Sequence, residues 1–382
     1  MGRLIKIYLI VSPHSKYMTD QVLILGGCGR IGSSVAQDIA THTQAQITVT
    51  SRTSAGIAAS DRIGDQVQFL ALDLADAAKW RNAIAKSNLV IHCAGPFHYR
   101  DASVLKLCIE HGVNYLDVSD HQSFTLKALA LKSAAQAAGV TAIINTGIFP
   151  GISNSMVRQC VEQLDQPERI HLSYLVSGSG GAGVTVMRTT FLGLQHEFKA
   201  WIDGKWQEVK PYSDRETVQF PPPYGKAQVY WFDMPEAFTL PDTFPVKTVI
   251  TKFGSIPNFY NHLTWIAAHC PKTLMQNEAT IEFLAHVSHL MTDVTNHFSG
   301  IGVAIRSEVT GRKQGQFASY CSTLVHQNTA IACGIGTGSI AQLLLAGKLK
   351  KPGVWPVEQI LPTNLFTEIM QSREIKIHQY WL

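Results

Sequence analysis

From Gln21 onward, short apolar runs alternate with amphipathic stretches. VLILGG (22–27) is a continuous apolar run that ends on glycine. SSVAQDIATH follows, with Val35, Ala36, Ile39 and Ala40 on one helical face. The alternation continues through ITVTSR (47–52), VQFLALDL (67–74), NLVIHCAGP (88–96), VNYLDVSD (113–120) and TAIINTG (141–147). Between these runs lie helical patterns, such as AAKWRNAIAK and an alanine-rich stretch over 124–138. Runs of Val, Ile and Leu without polar alternation are strands buried on both faces. Their alternation with helices predicts an α/β domain over 18–150, a Rossmann-type doubly wound parallel sheet of about six strands.

The pattern changes after Gly147. IFPGISNSM sets Pro150 and Gly151 ahead of Ser153, read as a helix N-cap, and marks a domain boundary. Beyond it come the strand patterns RIHLSYLVS, AQVYWFD, PVKTVITKFG, GIGVAIRSEVTG and GQFASYCSTLVH. Helical patterns lie near 187–198, 258–270, 278–291 and 327–346. GRKQG joins the last two strands as a hairpin turn. Residues 151–382 are thus expected to form an α+β domain with a mainly antiparallel sheet, serving substrate binding and dimerisation. Its C-terminal helices are candidates to pack back on the first domain. Residues 1–17 are expected to be a tail or an overextended start. Their apolar run, Ile5 to Val11, is broken by Lys6 and lacks a small-residue cleavage site, so it does not read as a secretory signal.

Composition narrows the functional classes. Of 382 residues, 46% are hydrophobic and 16% charged, which supports a large core and argues against disorder. A net charge of +4 is too small to suggest a nucleic-acid surface. No apolar run reaches the ~18 residues that span a bilayer. The seven cysteines contain no C-x-x-C pair and read as reduced thiols of a cytoplasmic protein. The fifteen histidines show no metal-binding spacing, so no metal is expected. The expected partner is a small molecule, and an open edge of the antiparallel sheet makes a homodimer an option.

Gly27-Cys28-Gly29-Arg30-Ile31-Gly32 matches G-x-G-x-x-G between an apolar strand and an amphipathic helix. In that context glycines let the backbone turn tightly and approach a pyrophosphate, and the helix N-terminus offers free N–H groups. Gly178-Ser179-Gly180-Gly181-Ala182-Gly183 has the same spacing, but FKAWIDGKWQEV follows it, a hairpin pattern and not a core strand. The first motif is therefore assigned the dinucleotide. About 20 residues beyond the motif, an NAD site carries an acid for the ribose hydroxyls. Here stand Ser51, Arg52 and Thr53, which suit a 2′-phosphate and predict NADP. Asp73 reads equally as an acceptor for adenine or as a helix N-cap. Ala94, Gly95 and Pro96 end the fourth strand, where the ribose and nicotinamide are expected.

The fifth strand ends in Asp117-Val118-Ser119-Asp120-His121. Continued alternation places Asp117, Ser119 and His121 on one side and Asp120 on the other. His121 or Asp117 is then the proton-transfer candidate, with Asp120 as the third titratable group. The bland alternative is that Asp120 caps a helix and His121 lies on the surface. In the second glycine motif, Ser179, Gly180 and Gly181 are candidates for an anion nest, with Arg188 and Thr189 one turn beyond. Arg306 and Lys313 are further cations that more often are simply solvated. Trp201, Trp206, Tyr230, Trp231 and Phe232 suggest either a hydrophobic substrate or plain core.

Several ordered blocks together resemble the saccharopine dehydrogenase/reductase-like family. They are VLILGGCGRIG, TVTSRT, VIHCAGPF, CIEHGVNYLDVSD, GIFPGISN, GSGGAGVTVMRTTF and GKLKKPGVWPVEQIL, spanning about 21–377. The resemblance implies a nicotinamide cofactor in the first domain. It also implies chemistry on a secondary amine joining an amino acid to a carbonyl compound. The chain lacks a recognisable cluster for an aminoadipate-type substrate, which leaves the substrate open. The expected function is NADP-dependent hydride transfer at a C–N or C–O bond of a small carboxylated metabolite. A non-catalytic nucleotide-binding sensor or scaffold is the alternative.

Overall fold

A computed structural model describes residues 19–53, 63–178, 180–181 and 183–382. The expected tail, 1–17, lies outside them. The first sheet has seven parallel strands. From edge to edge they are Gly353–Pro356, Thr141–Ile144, Asn114–Asp117, Leu89–His92, Gln21–Leu25, Gln46–Ser51 and Val67–Ala71. The winding reverses at Gln21–Leu25, whose neighbours are the second and fourth strands in the chain. In such sheets a crevice opens at the carboxyl ends of the strands flanking that reversal.

Six strands are those the apolar runs predict. The seventh, GVWP at 353–356, comes from near the chain's end and pairs in parallel with Thr141–Ile144. Its four residues carry too little periodicity to be read as a strand. Its proline sits at a sheet edge, where a missing N–H is tolerated.

The second sheet also has seven strands, in the order Glu216–Gln219, Lys226–Trp231, Thr248–Ile256, Gln166–Ser177, Gly302–Lys313, Gln316–His326 and Ile377–Trp381. Neighbours are antiparallel except Gln166–Ser177 with Thr248–Ile256. The stretch after the second glycine motif forms the hairpin Phe198–Ile202 with Lys205–Val209. Its turn is closed by Asp203 at φ 52° and Gly204 at φ 73°, the left-handed pair a tight hairpin requires.

At the boundary, helix Ile152–Val161 is capped by Gly151 at φ 133°, and not by Ser153 as the sequence suggests. Ser153 instead lies inside the first turn and donates to the buried Glu236 carboxylate at 2.9 Å. Asn154 beside it donates to the buried Glu358 at 2.9 Å. One helix start thus holds a carboxyl from the second body and one from the chain's C-terminal segment.

That segment returns to the first body. Helix Thr329–Leu345 crosses Arg30–His42, the helix that follows the first glycine motif. A Cβ on Gly338 would lie 2.2 Å from Asp38 Oδ2, and one on Gly334 would lie 2.6 Å from the Ser34 backbone. Only glycine permits so close a crossing. Beyond helix Thr363–Gln371, Arg373 donates to Asp38 from Nε at 2.9 Å and from Nη2 at 2.7 Å. Both side chains are nearly inaccessible, at 2% and 5% exposure.

Removing one partner of such a pair strands a buried charge. Arg373→Ala should therefore lower unfolding stability by about 3–5 kcal/mol. The double replacement Arg373→Met with Asp38→Leu should recover much of the loss. Urea unfolding checks both, and a loss below about 1 kcal/mol would show that the pair does not hold the C-terminal segment in place.

Candidate active site

A cleft of about 1110 Å³ lies at the carboxyl ends of the first sheet. One wall is the start of helix Arg30–His42, with Gly26, Gly29, Arg30, Ile31 and Gly32 on the lining. No side chain caps this helix and its first turn holds no acid, so its N–H groups face the opening without a competing carboxylate. Gly26 has φ +75°, and a Cβ on it would lie 2.9 Å from the Ala94 backbone. A Cβ on Gly32 would lie 2.3 Å from the Gly26 carbonyl oxygen.

Gly27, read from the sequence as the motif's first glycine, does not line the cleft. A Cβ there would meet Val49 Cβ at 2.7 Å, so its bareness serves packing against the second strand. Gly26 stands in its place at the rim. The doubled glycine carried that signal, but spacing alone could not choose between them.

Ser51 and Arg52 line the adenosine-side end that the Rossmann pattern predicts. Thr53 follows, exposed and off the lining, with its amide 3.4 Å from Ser51 Oγ. Asp73 lines the same end and accepts from the Ala75 amide at 3.0 Å. The cap of helix Ala77–Ala85 is Asp76, so the N-cap reading of Asp73 gives way. Thr50, Leu72, Leu74 and Ala75 complete this end.

At the other end Ala94, Gly95 and Pro96 form the floor. Arg100 braces it, donating from Nε to the Ala94 carbonyl at 3.0 Å. Val118 and Asp120 rise beside them. The fifth strand stops at Asp117, so the alternation expected through His121 is lost and the titratable groups change places. Asp120 reaches the cleft, and burial lifts its carboxyl to about 6. Asp117 does not reach it. It is fully buried, and its Oδ1 accepts from the amides of Ser119 and Asn145, each at 3.0 Å. Those bonds tie the ends of two strands together. His121 also lies off the lining. Its Nδ1 is 2.9 Å from Ser123 Oγ and its Nε2 is 3.1 Å from His98 Nδ1. Burial first, then the neighbouring His98 and Lys127, lower its pKa to about 4, so the ring is neutral near pH 7.

The second glycine motif closes the cleft from the other body. Gly178, Gly180 and Gly181 all have positive φ, and Cβ atoms there would strike Asn296, Thr329 and Asn328. The Gly180 carbonyl accepts from the Thr329 amide at 2.6 Å. Gly180 and Gly181 are thus bare because the loop packs against the start of helix Thr329–Leu345, and neither lines the cleft as an anion nest. Ser179 lies outside the described residues. Gly183 does line the cleft and starts helix Val184–Leu192, which brings Thr185, Arg188 and Thr189 to the wall. Arg30 Nη1 reaches across to the Gly181 carbonyl at 3.4 Å. Arg188 pairs bidentately with Glu282, which raises the guanidinium pKa and lowers that of the carboxylate.

Glu282 belongs to helix Glu278–Ser299, which also sends Glu278, His286 and His289 to the cleft. Sequence reasoning missed this row, because acids at helical spacing look like any solvated face. Tyr99 was missed too. Arg306 and Lys313 lie elsewhere, on the second sheet, bound to Glu308 and to the Gln163 carbonyl. Tyr230, Trp231 and Phe232 are core residues, and Trp201 packs on Trp206 in the hairpin. None of these five aromatics lines the cleft.

The residues present fit a pyridine dinucleotide. Bare backbone at Gly26 and Gly29 meets an uncapped helix start, and Arg52 with Ser51 takes the position where an acid would mark NAD.

Comparison with known proteins points to the same cofactor. Residues 22–143 match the model of the saccharopine dehydrogenase NADP-binding domain. The chain is 24% identical to the carboxynorspermidine synthase of Vibrio cholerae, over 91% of this chain and 94% of that protein. It is 23% identical to the carboxyaminopropylagmatine dehydrogenase of a Synechocystis species, over 91% and 94%. Among solved structures, C. glutamicum DAP dehydrogenase in complex with DAP aligns at 13% identity and TM-score 0.47, covering 93% of this chain and 99% of that one.

A guanidinium on the 2′-phosphate contributes about 1.5–3 kcal/mol. Arg52→Ala should thus weaken NADPH binding roughly ten- to hundredfold and leave NADH binding almost unchanged. Fluorescence titration with both cofactors checks this. Equal losses for the two would place Arg52 away from that phosphate.

Proposed function

We propose that this protein, whose first domain belongs to the saccharopine dehydrogenase NADP-binding family, is an NADP-dependent oxidoreductase that transfers a hydride at a C–N bond of a small carboxylated amine, interconverting C=N and CH–NH. The observation that carries the reading is Asp120. It is a carboxyl poised at about 6 on the cleft wall, beside the Ala94–Pro96 floor where the nicotinamide of such domains is expected. The names of both full-length relatives denote carboxylated polyamine-type compounds, which supports a C–N bond over a C–O bond.

Gly26, Gly29 and the N–H groups of helix Arg30–His42 would hold the pyrophosphate, and Ser51 and Arg52 the 2′-phosphate. Bound there, the nicotinamide supplies or takes up the hydride. Asp120 gives a proton to the substrate nitrogen in the reducing direction and removes one in the oxidising direction. Helix Val184–Leu192 and helix Glu278–Ser299 enclose the far end and present both signs of charge to the substrate. The sensor reading requires no titratable group at this position and gains no support from the site.

We place the protein in the cytoplasm because all seven cysteines are free. Among the described residues no helix is long and apolar enough to cross a membrane. The open edge strand Ile377–Trp381, with Tyr380 and Trp381 exposed, supports a homodimer.

Asp120→Asn should cut turnover by about 10²–10⁴-fold while NADPH binding stays intact. A carboxyl raised to about 6 is protonated below that pH and ionised above it. The reductive rate should therefore fall as pH rises through about 6, and the oxidative rate should rise over the same range. Profiles that ignore this interval in both directions would remove Asp120 from proton transfer.

A further inference from the structure

Among the described residues the cleft is lined by four arginines and no lysine. Arg52 stands at the adenosine end. Arg100 is spent on the Ala94 carbonyl, and Arg30 reaches to the Gly181 carbonyl beside the glycine loop. Only Arg188 stands at the substrate end on the opposing wall, and Glu282 holds it by two charge-assisted bonds. The pair bridges helix Val184–Leu192 and helix Glu278–Ser299 across one side of the cavity. The Arg188 side chain is 17% exposed and that of Glu282 is 37% exposed, so Arg188 is the better covered of the two. Glu278 lies one turn before Glu282 on the same lining, and His286 Nδ1 lies 3.8 Å from the Glu282 carboxylate.

We infer that Arg188 and Glu282 form a charge-exchange cradle for a zwitterionic substrate, whose carboxylate takes over the guanidinium while its ammonium takes over the released carboxylate. This deepens the oxidoreductase reading, on which it rests for treating the cleft as a substrate site. The physical argument concerns what is left behind. A ligand with both charges replaces one ion pair by two, and no charge-assisted bond is lost. A ligand with one charge must either leave the pair intact and gain little, or split it and strand the second partner. Leaving the better covered Arg188 without a charged partner costs more than one weak contact returns. Sites built on such groups reject analogues that lack the partner. The pair therefore selects amino acids over simple amines and simple acids before any chemistry occurs. It also keeps Arg188 from capturing stray carboxylates in the empty cleft.

The test is calorimetry on the NADP-loaded protein, with ω-amino acids from glycine to 6-aminohexanoate as probes. Each is compared with its matching alkylamine and alkanoate. In the unaltered protein at least one amino acid should bind roughly tenfold or more tighter than both single-charge counterparts. In Glu282→Gln the alkanoates should gain affinity, because Arg188 is released, while amino acids lose it roughly tenfold and alkylamines stay weak. In Arg188→Gln the alkylamines should gain, amino acids lose and alkanoates stay weak. NADPH fluorescence should be unchanged in both variants, which shows that the cleft is intact. The inference is overturned if no amino acid exceeds its single-charge counterparts, or if either variant shifts amines and acids in the same direction. Loss of NADPH binding or of turnover in the unaltered protein would instead count against the oxidoreductase reading, and it is read separately.

Discussion

The crossing of helix Thr329–Leu345 over helix Arg30–His42 is the constraint from which the site follows. The helices meet at bare glycines, so the crossing tolerates almost no displacement. Helix Arg30–His42 carries the first glycine motif at its start. Helix Thr329–Leu345 receives the second glycine motif at its own start, through the Gly180 carbonyl and Thr329 amide. One helix contact thereby fixes the two glycine loops relative to each other. The buried Asp38–Arg373 pair fastens the same seam further along.

With that seam set, the cleft has walls from both bodies and a graded character. The adenosine end is open and cationic at Arg52. The middle is bare backbone. The far end collects Asp120, Arg188, Glu278 and Glu282 in a partly enclosed space. Burial there lifts Asp120 toward neutrality, whereas Glu282 is held low by its guanidinium. Two carboxyls in one cavity are thus driven apart by their surroundings, one raised by burial and one lowered by its guanidinium partner.

Local signals read most of the first sheet: apolar runs placed six of its seven strands, and the glycine spacing marked the turn at the head of helix Arg30–His42 that lines the cleft. Which titratable group of the fifth strand's end faces the cleft was harder to read. Alternation favoured Asp117 and His121 only as long as the fifth strand continued, and it ends at Asp117. One strand end exchanged a buried tether for the group that faces the cleft. The second glycine motif had the spacing of an anion nest, and its true neighbours, Asn296, Asn328 and Thr329, lie more than a hundred residues away.

By itself, then, the sequence determined what depends on near neighbours: the strand and helix periods, the parallel sheet and the bare turn for a dinucleotide with an extra phosphate. The tertiary structure alone decided what depends on distant segments meeting. It added a seventh strand from residues 353–356, brought Glu282 to Arg188, and chose Asp120 over its neighbours. The reason is physical. Periodicity and turn chemistry act over a few residues of backbone, whereas burial, charge pairing and the shape of a cavity arise only where remote surfaces close on one another.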